Sequence, residues 1–89
     1  MSSEFEKFVA ERKLVRARIG RSMIDEEIEA AQSDLRDARD SLERRKLKWA
    51  TIQGYYSMFH SARALLYSRG FREKSHYALL VAIRELFSS

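Results

Sequence analysis

Six side chains able to stack, carry charge or exchange a proton recur along one stretch. They are Trp49, Gln53, Tyr56, His60, Arg63 and Tyr67, at spacings of four, three, four, three and four. On a helix these positions fall within a sector of about 80°. Aromatic rings stack on bases, and guanidinium, imidazole and phenol groups hydrogen-bond phosphate or carboxylate. The same stripe can equally be a set of buried groups that satisfy one another and the acids of a neighbouring helix. Periodicity alone leaves both readings standing.

A second concentration is basic. Arg16, Arg18 and Arg21 precede one long helical pattern, and Arg69, Arg72, Lys74 and His76 follow another. In an up-and-down bundle these turns share one end. The free N–H groups of a helix starting after Ser75 would point there too, an arrangement suited to phosphate. Asp25, Glu26, Glu27 and Glu29 lie at the same end and oppose that field. No Gly-rich phosphate loop, H-E-x-x-H pair or nucleophile elbow is present. The chain has no Cys and two His, which excludes disulfides and cysteine-ligated zinc; no metal site or cofactor is expected.

The elements that must position these residues are helices. Eighty-nine residues with 45% hydrophobic and 34% charged side chains suit one small globular domain, 1–89, and the absence of Pro leaves helices uninterrupted. The first helix is predicted from about Ser3 to Ile19, with Phe5, Phe8, Val15 and Ile19 on one face and Gly20 as its stop. The second runs from about Met23 to Arg45 behind Ser22 as N-cap. Ile24, Ile28, Ala31, Leu35, Ala38 and Leu42 form its inward stripe, Asp25, Glu26 and Glu27 its first turn, and Arg44, Arg45 and Lys46 its last.

The third helix, from about Lys48 to Arg69, has apolar groups on two faces: Ile52, Tyr55, Phe59, Ala62 and Leu66 on one, Met58 and Leu65 on another. That is the pattern of a central helix with neighbours on both sides, and Gly54 in its interior suggests a close backbone approach. A fourth helix starts after Ser75 and reaches about Phe87, turning Leu79, Ile83 and Leu86 or Phe87 inward. Short connections between such helices imply an all-α, antiparallel up-and-down bundle of about four helices.

Helices two and three should each be about 33 Å long at 1.5 Å per residue, twice the fourth. The part of helix three near Trp49, Ile52 and Tyr56 then lacks a cover, which predicts self-association. No apolar run approaches the roughly 18 residues of a membrane span, so the protein is expected to be cytoplasmic. A net charge of +4 permits anionic partners without requiring them.

From Tyr55 to Phe87 the sequence resembles the HEPN domain family, small prokaryotic helical domains often encoded beside a minimal nucleotidyltransferase. The residues that carry the resemblance are the Tyr55-Tyr56 pair, Met58-Phe59-His60, Ala62-Arg63-Ala64-Leu65-Leu66, Gly70, and Lys74-Ser75-His76 opening the next helix. The resemblance implies a domain that acts by association, as a homodimer and as the toxin-like partner of a nucleotidyltransferase antitoxin, or as a nucleotide- or RNA-binding module. Its candidate contact residues are Tyr56, His60, Arg63, Arg72, Lys74 and His76.

Many members resemble toxin ribonucleases with an Arg followed after four to six residues by a His. Arg69 and His76 match that spacing, but the family's motif lies beyond the Lys-Ser-His helix, and the sequence stops at Ser89 before that segment would begin. A shortened member or a fragment is therefore expected, and catalysis by these 89 residues is not. A metal-independent endoribonuclease using Arg69 and His76 is the alternative. A purely structural homo-oligomeric module is the third reading.

Overall fold

The computed structural model of the protein describes residues 3–87. In chain order it contains α1 (Ser3–Ala10), β1 (Leu14–Arg16), α2 (Arg21–Glu43), α3 (Leu47–Ser68), β2 (Phe71–Glu73) and α4 (His76–Phe87). Four helices dominate, and the fold is all-α. Among the described residues no helix is long and apolar enough to cross a membrane.

The first helix is shorter than its apolar pattern implies. It stops at Ala10, not Ile19, because the chain closes a left-handed turn at Arg12 (φ 62°). The Lys13 amide then donates to the Phe8 carbonyl (2.8 Å) and the Arg12 amide to that of Val9 (3.1 Å). These are the paired bonds of a Schellman ending. Leu14–Arg16 continues as a strand that pairs antiparallel with Phe71–Glu73, setting Leu14 opposite Glu73, Val15 opposite Arg72 and Arg16 opposite Phe71. Val15 thus belongs to this ribbon and not to a helical face with Phe5 and Phe8. Leu14 becomes fully buried in its place.

Gly20 is not a stop for the first helix. It is the N-cap of α2, in extended backbone, and Ser22 lies inside the first turn instead of capping it. The acids Asp25, Glu26 and Glu27 consequently fall beyond that turn. Arg44 is the C-cap, with Arg45 and Lys46 past the helix end. That end is a second Schellman closure: the Lys46 amide donates to Ser41 O (2.8 Å), the Arg45 amide to Leu42 O (3.0 Å), and Arg45 takes φ 61°. The fourth helix starts as its sequence suggests, with the Ala78 amide donating to Ser75 Oγ at 3.1 Å.

The long helices α2 and α3 form an antiparallel hairpin, seen in the pairing of Ser41 with Gln53 and of Ala31 with Ser57. Its inner surface is made of small residues: Ala31, Ala38, Ser41, Ser57 and Ala64 are the buried ones. The large members of the stripe expected to face inward, Ile28, Leu35 and Leu42, are exposed instead. Small side chains let the two backbones approach, and the bulky ones are turned out. Gly54 does not mark the close approach: a Cβ there would meet open space.

After α3 the chain doubles back through β2, so that α4 begins beside Tyr55 and Phe59 and ends beside Arg69. Among the described residues, the large buried side chains cluster at this end. Phe5, Phe8, Leu14, Leu66, Phe71, Leu79 and Val81 pack together, with Phe59, Ala62, Ile83 and Leu86 around them. The remainder of the hairpin extends from that core, giving a molecule of 45 × 26 × 24 Å.

Candidate functional site

Arg63 sits where α3 faces both α2 and the strand ribbon. Its guanidinium lies 3.2 Å from Glu27 of α2 and 3.0 Å from Glu73 of β2, and it also donates to the Tyr67 hydroxyl. One turn earlier, His60 Nδ1 donates to the other Glu27 oxygen at 2.5 Å, and His60 Nε2 faces Asp34 at 3.7 Å. Both imidazole nitrogens are thus directed at carboxylates on opposite sides and do not converge on a third group. The amide nitrogen of Gln53 donates to Ser41 Oγ (2.7 Å) and to the Asp37 carbonyl (3.1 Å). Half of the polar stripe is therefore turned to helix-two partners, and His60 and Arg63 are mostly shielded from solvent.

Glu73 escaped sequence reasoning because it lies in the charged run Phe71-Arg72-Glu73-Lys74. Strand alternation was the signal that could have found it, since Phe71 and Glu73 point to the same side of a strand and Phe71 is core. Its carboxylate is almost fully buried, and one oxygen, Oε1, makes no hydrogen bond. A buried carboxylate needs a cation, and Arg63 is the one present.

The second feature is a cleft between α3 and α4 of about 190 Å³, lined by Tyr55, Met58, Phe59, Ala62, His76, Leu79 and Leu80. Its single polar edge is the Tyr55 hydroxyl hydrogen-bonded to His76 Nδ1 at 3.1 Å, with the imidazole 4.7 Å from the Phe59 ring centroid. Tyr55 was expected on the apolar face and not as the partner of His76. Tyr56, on the neighbouring side, is half exposed and packs edge-on against Tyr55.

The third feature is cationic. The Ala17 amide donates to the Gly70 carbonyl (2.9 Å), which draws Arg16 and Arg18 toward Arg69 and Arg72. Arg16 lies over Phe71, Arg69 over Phe87 and Arg72 over Tyr67, at 4.8, 4.7 and 6.0 Å from the ring centroids. None of the three is within 4 Å of a carboxylate among the described residues, and neither is Lys74. Flat guanidiniums held on rings and left without acids remain available to an anion.

Arg69 and His76 are not brought together within one chain. Arg69 stacks on the last residue of α4 and His76 is the first, so about 16 Å of helix separates them.

Compared with known families, residues 24–88 match the family model described as the HEPN domain. Neither the curated proteins nor the solved structures contain a match.

Proposed function

The chain belongs to the HEPN domain family, and on that premise we propose that it is a cytoplasmic module acting by association, pairing with a second copy of itself and docking a nucleotidyltransferase-type antitoxin partner. One observation carries this reading. The hairpin leaves Leu42, Leu47, Trp49, Tyr55, Tyr56 and Met58 exposed, and none of them belongs to the core cluster. Large apolar side chains concentrated on one element are the usual mark of a protein interface. Sedimentation across a wide concentration range tests it. Concentration-dependent dimerisation is expected, and a monomer throughout would overturn the proposal.

A second reading is favoured by the acid-free cations: nucleotide or RNA contact by Arg72, Lys74, His76 and Tyr56. Arg72 and Lys74 would neutralise phosphates, and Tyr56 would stack. Binding of this kind weakens as salt rises, because each neutralised phosphate releases counterions. Arg72→Ala and Lys74→Ala should each reduce the logarithmic salt slope by about one. A salt-independent affinity would dismiss it. His60 and Arg63 enter this reading only after leaving Glu27 and Glu73. Ribonuclease chemistry by Arg69 and His76 would require residues from two chains; cleavage that survives Arg69→Ala with His76→Ala would remove both from consideration.

A further inference from the structure

Ile28, Leu35 and Leu42 stand seven residues apart on α2, so they lie almost in line along one side of the helix, drifting by about 20° per interval. All three are exposed, at 41%, 42% and 58%. Beside Ile28 the surface opens into an apolar groove between α2 and α3, lined by Ile24, Ile28, Gln32, Ser61 and Leu65. Leu42, the most exposed of the three, stands clear of that groove as a knob. It is fourteen residues from Ile28, about 21 Å along the helix, and cannot reach that groove within its own chain.

We propose that this face is the self-association surface, with two α2 helices packed antiparallel about a two-fold axis at Leu35. The inference rests on the reading that the domain pairs with itself. A two-fold contact is self-complementary, so a knob and a groove displaced equally to either side of the axis fill each other in both directions. With Leu35 against Leu35 of the second copy, Leu42 enters the groove at Ile28 of that copy, and the reverse contact forms at the other end. The charges are compatible with this register. Lys46, just past the helix end and without an acid partner among the described residues, comes near the second copy's Asp25, which Arg21 of its own chain already pairs at 3.1 Å. Gln32 comes beside Arg39, which is likewise without an acid. Arg36 and Glu29 each lie about 100° round the helix from a seam residue and stay at the margin. A parallel arrangement would set Leu42 on Leu42 and leave both grooves unfilled.

The chain contains no cysteine, so single introduced thiols report the geometry directly. In the full chain, Leu35→Cys should cross-link to itself under mild oxidation or with a short thiol-bridging reagent. Ile28→Cys and Leu42→Cys should cross-link efficiently only when mixed. Leu35→Arg should weaken dimerisation at least about tenfold with an unchanged circular dichroism spectrum, because the replaced side chain is exposed in the monomer. Self-cross-linking by all three single variants would show a parallel pair and overturn the register. A dimer in sedimentation that neither cross-links at Leu35 nor responds to Leu35→Arg would overturn this face while leaving self-association intact. A monomer would overturn both.

Discussion

Arg63 and Glu73 meet at 3.0 Å beneath the strand ribbon, with the carboxylate almost entirely out of solvent. The same guanidinium reaches Glu27 at 3.2 Å, so one cation joins α2, α3 and β2. Buried charges are costly when unpaired, and removing one member of such a set exceeds the loss of an ordinary contact.

Arg63→Ala is therefore expected to destabilise the domain by about 3 kcal/mol, because it leaves the buried Glu73 carboxylate without its cation and Glu27 with His60 alone. Arg63→Lys should rescue only part of this, since a point-like ammonium cannot span Glu27, Glu73 and Tyr67 together. Chemical denaturation with a constant m-value measures both. A loss below about 1 kcal/mol would show that the cluster is effectively solvated.

A second prediction concerns acid and base. Glu4 of α1 accepts hydrogen bonds from the Tyr77 hydroxyl (2.9 Å) and the Arg84 guanidinium (2.6 Å) of α4. The Tyr77 bond first, then that from Arg84, holds the Glu4 carboxyl below the usual carboxylate range. A lowered folded pKa means that this contribution is present above the unfolded value and disappears as pH falls through the folded one. The Tyr77 phenol is displaced upward, chiefly by its bond to Glu4, so its contribution persists at lower pH and is lost as pH rises through the raised value. Amide protection in α1, relative to the intrinsic exchange rate at each pH, should fall at both extremes, and Glu4→Gln should flatten the acid limb. An unchanged acid limb in that variant would refute the assignment.

Two glycines should respond with opposite sign. Gly70 ends α3 at φ 79°, a region that costs an L side chain about 1–2 kcal/mol, so Gly70→Ala should destabilise. Gly54 is inside α3 with open space where a Cβ would go, so Gly54→Ala should stabilise by up to about 1 kcal/mol. Thermal unfolding of the pair distinguishes the signs.

The α2–α3 contact is built on small residues, so enlarging one should act as a wedge. Ala38→Leu is expected to cost about 1–3 kcal/mol and to loosen the hairpin, seen as lost helicity or faster exchange in residues 35–55. A neutral result would mean that the helices separate there without penalty.

The helices were legible where pattern and punctuation agree. The third and fourth carry Leu66 and Leu79 at helical spacing, and Ser75 marks a start. The end of α1 was not legible, because the left-handed residue that closes it is Arg12, a type with no preference for that conformation. Three-residue strands offer too few positions to show a period of two, so in the sequence the ribbon looks like helix or turn. In α2, Leu35 and Ala38 share a stripe in the sequence, and only the approach of α3 between Gln53 and Ser57 decides which of them is covered. At the candidate site, acids of the second helix were anticipated as partners for His60 and Arg63, but Glu73 and the Tyr55–His76 bond depend on the ribbon and could not be foreseen without it.

The confinement of the core to one end has a kinetic consequence. Amides near Leu66, Leu79 and Val81 should be released only with the whole domain, whereas those toward Leu47 and Trp49 lie in a segment with little apolar burial. Opening free energy should thus fall steadily along the hairpin toward its turn, dividing the molecule into a slow-exchanging base and a fast-exchanging arm. Any partner that grips the arm would draw its affinity partly from suppressing that opening, and would slow proton exchange at residues it never touches.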